Sequence, residues 1–256
     1  MQFGTALALQ SGMQDLHTQQ TAQDDIEAAI VSGILSARIK PGTRLNENQL
    51  ATVFRVSRTR VREAMMRLET RAIVHVSPRR GWFVVEPSAE EAMTVYAARR
   101  IIESGLLRSM TELTASGRET LRAHLAEEKA AIAVSDKQRL ICLMGDFHIR
   151  LAELSGNAVL IEILRDLTAR TILISMLYQS DFHAMQSHLG HCGIVEALEA
   201  GDFLKAAKLS IEHLEEVEEG LDLTSRPDPL SDLRTSLSLP AAAAPSREPA
   251  VSTQKK

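Results

Sequence analysis

Cysteine, aromatic residues and long apolar runs are all scarce in this chain. Only two cysteines, Cys142 and Cys192, occur in 256 residues, which excludes a disulfide-stapled scaffold and fits a reducing cytoplasm. Aromatic residues make up 4%, so Leu, Ala, Ile and Val carry the apolar load, a balance that favours helix packing over a β-sandwich. No run approaches the roughly 18 consecutive apolar residues of a membrane span, so no membrane partner is expected. The Gln-rich start has no basic stretch leading into an apolar one, which argues against a secretory leader. What is present is a 45% hydrophobic fraction, enough to build a core, in a length that suits one large domain or two small ones.

The net charge of −4 hides a segregation. Residues 38–80 hold eleven basic side chains against three acidic ones, a net +8, whereas residues 88–220 hold 13 against 21, a net −8. A basic segment beside an acidic one points to a polyanion-binding head on a body with another task.

Local patterning divides the chain further. Residues 1–20 lack periodicity and read as a flexible arm. Helical spacing of Ile26, Ala29, Ile30, Ile34 and Leu35 predicts a helix over 24–37, ended by Pro41-Gly42. Asn46 then caps a short helix through Phe54, and Ser57 caps another whose apolar face is Val61, Ala64, Met65 and Leu68. Residues 72–76 and 82–85 read as two strands joined by the turn Ser77-Pro78-Arg79-Arg80-Gly81. After a hinge at Pro87-Ser88, helices are predicted over 89–114, 117–134, 137–154, 157–177, 183–200 and 203–220. Beyond 222 the composition shifts to Pro, Ser and Ala and reads as a disordered tail. The fold class is therefore mostly α: a winged helix-turn-helix over 21–87 and an all-α bundle over 88–221.

Two short helices joined by a tight turn, the second capped and basic, meet the needs of a helix-turn-helix whose second helix enters the major groove of double-stranded DNA. That helix opens Ser57-Arg58-Thr59-Arg60-Val61-Arg62. Arg58 and Arg62 lie four apart on one face, and arginine can grip guanine bidentately. Thr59 and the helix N-terminal amides suit phosphate. The hairpin tip, Arg79-Arg80-Gly81, forms a wing able to enter the minor groove or follow the backbone. No aromatics interleave these basic residues, which argues against single-strand stacking.

The runs Gly33…Pro41-Gly42-Thr43-Arg44-Leu45…Leu50-Ala51, Val56-Ser57-Arg58-Thr59-Arg60-Val61-Arg62-Glu63-Ala64…Leu68 and Pro78-Arg79-Arg80-Gly81 resemble the winged head of GntR-type transcription regulators over about 65 residues. The resemblance places Arg58, Thr59 and Arg62 on DNA-contacting positions and Gly81 at the wing-tip glycine; Arg44, Ser57, Arg60, Arg79 and Arg80 complete the expected DNA face. Ala72 stands where a glycine usually precedes the first wing strand. The acidic helices resemble the C-terminal ligand domain (FCD) of the FadR branch, through Arg99…Glu103, Phe147-His148…Ser155-Gly156-Asn157, His191…Gly201-Asp202 and His213-Leu214.

His148, His191 and His213 lie on three predicted helices. Three neutral imidazoles inside a bundle suit zinc or a similar divalent ion, and in the metal-binding branch of the family these positions are ligands. The carboxylate that the family carries four residues before the first histidine is Met144 here, and Asp146 points to another side of the helix. The alternative for the three histidines is a set of hydrogen-bonded core residues. His188 reads as a surface residue, and His124 has no evident partner. Arg99 can clamp an effector carboxylate or pair with Glu103, and Asn157 is a further effector contact or a helix cap. The reading is a homodimeric repressor, controlled by a small organic acid bound in the body at a metal. Two alternatives stand beside it. One is a metal-dependent enzyme with a three-His site, disfavoured by the lack of an HExxH motif and of a general-base carboxylate beside a ligand. The other is an effector-independent architectural DNA binder.

Overall fold

The first helix, α1 (25–35), forms because Ile26, Ile30, Val31 and Ile34 recur at helical spacing, and all four are buried. It belongs to a computed structural model that describes residues 25–179 and 183–224; the expected arm, His17 and nearly all of the expected tail lie outside those residues. After α1 the chain turns through Ala37 and Gly42, both at positive φ, into β1 (Arg44–Leu45). Helix α2 (Glu47–Phe54) is capped by Asn46, whose side chain accepts from the N–H groups of Asn48 and Gln49. Arg55, at φ 56°, closes it, and Ser57 caps α3 (Arg58–Thr70). The predicted apolar face of α3, Val61, Ala64, Met65 and Leu68, is the buried one. Strands β2 (Val74–Ser77) and β3 (Gly81–Val84) follow.

The sheet has the order β1-β3-β2 and is antiparallel throughout, with Leu45 and Val76 flanking Trp82. Three details differ from the sequence reading. Strand β1 was not expected; two residues carry no periodic signal, and it exists because β3 offers a free edge. Strand β2 begins later than expected because Ala72 stands at φ 54°, a left-handed conformation incompatible with a strand. The usual glycine here is thus replaced at a position that asks for one, at a conformational cost of about 1 kcal/mol.

The second part is all helical: α4 (Ala89–Ser109), α5 (Ala115–Ala133), α6 (Lys137–Leu154), α7 (Ala158–Tyr178), α8 (Ala184–Glu199) and α9 (Phe203–Glu219). A capping box of Ser88 and Glu91 starts α4. The third difference is its end, at Ser109 rather than 114: Met110 is extended, and Met110 and Leu113 pack on the bundle core as irregular chain, so helical spacing of apolar residues overran the helix. Asp136, Asn157 and Asp202 cap α6, α7 and α9. Helix α4 packs on α7 and α9, α8 on α5 and α9, and α6 on α5 and α7. Leu107, Leu121, Phe147, Leu151, Leu164, Ile194 and Leu198 form the core between them. No described helix is long and apolar enough to cross a membrane.

Helix α7 belongs to both parts. Its Ala169 and Leu173 enter the core of the winged head beside Ile26, Met65 and Leu68. Its Asp166 accepts two hydrogen bonds from Arg71 at the end of α3, at 2.5 and 2.8 Å. Arg71 also donates to Glu27 of α1 at 3.1 Å, and Glu27 accepts from Arg67 at 2.5 Å. At its far end the Tyr178 hydroxyl donates to the Pro87 carbonyl at 2.9 Å, tying α7 to the hinge between the parts.

Candidate functional site

The exposed face of α3 and the wing carry the basic residues. Arg58 and Arg62 keep side-chain exposures of 62% and 57%, although both reach Glu47 of α2. Arg62 grips that carboxylate through Nε and Nη2 at 3.1 and 3.0 Å, and Arg58 Nη2 lies 3.4 Å away. Trp82 Nε1 donates to the same carboxylate at 3.1 Å, so the wing anchors it. The hydrogen bond from Arg62 is the main reason Glu47 ionises below the usual carboxylate range. One fixed anion thus aligns the exposed guanidinium of Arg62 on the first turns of α3. Arg44 and Thr59 are exposed, and Ser57 is exposed while accepting from Arg60 N–H at 3.4 Å. Arg79 and Gly81 hold φ of 65° and 94° at the wing tip; a Cβ at Gly81 would meet nothing within 4 Å, so conformation rather than space calls for glycine there. The Arg80 guanidinium sits 5.2 Å over the Phe83 ring.

Inside the bundle His148 of α6, His191 of α8 and His213 of α9 converge, with one ring nitrogen of each within 4.8 Å of the others. All three are buried. His191 Nε2 and His213 Nε2 are 3.1 Å apart. His148 Nδ1 donates to Glu103 at 2.7 Å and His191 Nδ1 to Glu128 at 2.7 Å, leaving each Nε2 to face the centre. The Phe147 ring stacks on His191 at 3.8 Å between centroids, which holds the imidazole plane. Burial, the largest cause, lowers all three histidines: His148 to about 4, His213 well below its ordinary value, His191 in the same direction. Burial raises Glu103 and Glu128, but Arg99 and His148 outweigh it at Glu103, and hydrogen bonds from His124, His191 and His188 outweigh it at Glu128, holding both at about 2. The rings are therefore neutral at pH 7, and with Nδ1 donating, His148 and His191 keep their Nε2 lone pairs available.

Gly190 sets the approach of α9 to α8. A Cβ there would lie 2.7 Å from His213 Nδ1, so any larger residue drives the ring out of the triangle. Gly190→Ala is expected to lower zinc affinity by about tenfold or more. Crowding a buried ring costs about 1–3 kcal/mol, against up to about 1 kcal/mol that alanine gains over glycine in a helix, so the melting temperature of the metal-free chain should hold or fall by a few degrees. A chelator-competition titration alongside thermal unfolding reads both, and unchanged affinity would show that His213 is not a ligand.

A cavity of about 60 Å³ opens beside the triangle, lined among others by Tyr96, Arg99, Met144, His148, Thr171 and His213. Arg99 donates Nε to Glu103 at 2.7 Å and Nη1 to Thr171 at 3.0 Å, while its Nη2 is buried without a partner. His213 Nδ1 is likewise buried and unpartnered. Arg99 thus makes the Glu103 pair that one of its two readings expected, and it lines the cavity with one guanidinium nitrogen left unpartnered.

Other expected residues fall elsewhere. Asn157 does not line the cavity; its side chain accepts from the N–H groups of Val159 and Leu160 as the α7 cap. Asp146 pairs with Arg150 at 2.7 Å, away from the triangle. His188 is not a surface residue: it is buried and bonds Glu128 at 2.8 Å. His124, which had no evident partner, reaches the Leu143 carbonyl and lies 3.3 Å from Glu128. Glu128 was missed, since it sits 63 residues from His191. Its only local signal is His124 one helical turn earlier.

Comparison with known proteins matches this architecture. The "Bacterial regulatory proteins, gntR family" model covers residues 22–84 and the FCD domain model residues 94–216. The Nta operon transcriptional regulator of Aminobacter aminovorans is 31% identical over 137 residues, 53% of this chain and 65% of that protein, just under two thirds of its length. The HTH-type transcriptional repressor RspR of Escherichia coli K12 is 25% identical over 80% of this chain and 91% of its own. A GntR transcriptional regulator structure from Rhodococcus sp. RHA1 superposes with a TM-score of 0.66 at 25% identity, covering 78% of this chain and 96% of that one. Head and body are matched in order and by separate models, and the chain belongs to the GntR family of transcription regulators in its FadR-type form, a regulator rather than an enzyme.

Proposed function

We propose that the chain is a cytoplasmic, homodimeric repressor that reads operator half-sites with α3 and the wing. A small carboxylic acid, bound in the bundle beside a divalent metal ion, controls its affinity. Two heads reading two half-sites require a dimer. Repression follows the relative named as a repressor.

The donor set fits such an ion. Metal–nitrogen bonds of about 2.0–2.1 Å put tetrahedral ligand atoms roughly 3.3 Å apart, close to the 3.1 Å between His191 and His213 Nε2. His148, His191 and His213 would hold the metal, and zinc suits three neutral imidazoles. When bound it supplies open coordination positions to an acid, and the free Arg99 Nη2 is the natural partner of the same carboxylate.

The observation that carries the reading is α7. Its Thr171 orients Arg99 at the cavity, while Asp166, Ala169 and Leu173 on the same helix hold the head. A ligand that moves α7 therefore changes how the heads are presented. Fluorescence anisotropy with the DNA flanking the chain's own gene, against scrambled DNA at two salt concentrations, tests it. Selective binding with a steep salt slope, altered by zinc and an organic acid, is expected. Selective binding that no metal or acid alters leaves an effector-independent binder. Asp166→Ala is expected to keep DNA and metal binding while reducing the coupling between them, typically about 1–3 kcal/mol; full coupling in that variant would exclude the α7 route.

A further inference from the structure

Among the buried charges of the bundle, Glu128 stands apart. Glu103 is neutralised by Arg99, its partner at 2.7 Å. Glu128 is fully buried and has no lysine or arginine partner among the described residues. Its carboxylate is surrounded by three imidazoles instead. His191 Nδ1 lies 2.7 Å from Oε1, His124 Nε2 3.3 Å from the same oxygen, and His188 Nδ1 2.8 Å from Oε2. An uncompensated buried carboxylate is expensive, by several kcal/mol. It is sustained when fully hydrogen-bonded and when a positive charge lies close by. The converging Nε2 atoms of His191 and His213 are the place on its line of contact where a cation fits, one imidazole away.

We infer that Glu128 is the positioning residue and the counter-charge of the metal centre. It holds His191 in the tautomer that presents Nε2, and it supplies from behind the ligand the negative charge that Met144, facing the cavity from one turn before His148, does not supply in front. His124 and His188 in turn hold Glu128, which makes the α5–α8 contact a rigid backing for the ligand. This rests on the proposed metal centre and assigns roles to residues outside it. A carboxylate behind a ligating histidine fixes ring orientation and raises its basicity.

The test uses the full chain with zinc or cobalt(II) alone. Glu128→Gln keeps the shape and one acceptor but removes the charge and sets an amide N–H₂ against imidazole N–H groups. It is expected to weaken metal affinity by about 10- to 100-fold and to shift the visible spectrum of the cobalt form. Met144→Asp in the same background places a carboxylate on the cavity side and is expected to recover most of the loss, which restored folding alone would not do. Unchanged affinity and spectrum in Glu128→Gln overturn the inference. Should that variant not fold, ¹⁵N spectra of the unsubstituted zinc form decide: His191 must keep its Nδ1 proton and coordinate through Nε2, and coordination through Nδ1 overturns the role. If the unsubstituted chain binds neither metal, the metal centre itself fails and the inference with it. Tight binding in the unsubstituted chain, with no effect of the substitution, removes only Glu128.

Discussion

Arg62→Ala is expected to reduce affinity for the operator by roughly 5- to 150-fold, while affinity for scrambled DNA falls far less. A bidentate arginine–guanine contact is worth about 1–3 kcal/mol of discrimination. Arg62 is the side chain best prepared to make one: Glu47 holds its guanidinium at two points, and Trp82 holds Glu47. The order lost when a long side chain binds is therefore partly met before DNA arrives. Arg58→Ala is expected to act in the same direction, since Arg58 shares the face but touches Glu47 only at 3.4 Å. Arg79→Ala at the wing tip supplies the contrast. A phosphate contact there should weaken operator and scrambled DNA alike and reduce the salt slope by about one. Anisotropy titrations of the variants at two salt concentrations separate the two behaviours. Equal losses on both DNAs for Arg62→Ala would reduce it to a backbone contact.

His191→Ala is expected to abolish stoichiometric metal binding and leave DNA binding in the metal-free chain intact. His191 lies at the middle of the site: it stacks on Phe147, meets His213 at 3.1 Å and is backed by Glu128. Its removal also takes one donor from a buried carboxylate, which should destabilise the metal-free chain by about 1–3 kcal/mol. In the unsubstituted chain, zinc at a thousandfold excess over its dissociation constant should add about 4 kcal/mol and raise the melting temperature by several degrees. In the variant that rise should vanish. Elemental analysis after dialysis and thermal unfolding with and without zinc read the two effects. Undiminished metal content would reject the three-histidine centre.

The expectations that the structure matched rest on short-range physics. Caps such as Ser57, Asn46 and Asn157 act within three residues, and the buried face of α3 follows from spacing along one helix. The convergence of His191 and His213 was legible for the same reason: one turn, at Gly201-Asp202, separates α8 from α9. Features that depend on partners far along the chain were not. Strand β1 exists only against β3, and the end of α4 only against the core that takes Met110 and Leu113. His188 was misplaced because a polar residue near a helix start reads as exposed until the helix that covers it is known.

By itself the sequence determined the basic winged head, the acidic helical body, their order, and three histidines on separate helices, because charge, periodicity and capping are written in neighbouring residues. Tertiary structure alone decided that Glu128 backs His191, that Arg99 lines the cavity with one guanidinium nitrogen left unpartnered, and that α7 joins the cavity to Arg71 of the head. Each of these joins residues tens of positions apart, and only the packing of the bundle brings them within hydrogen-bond range.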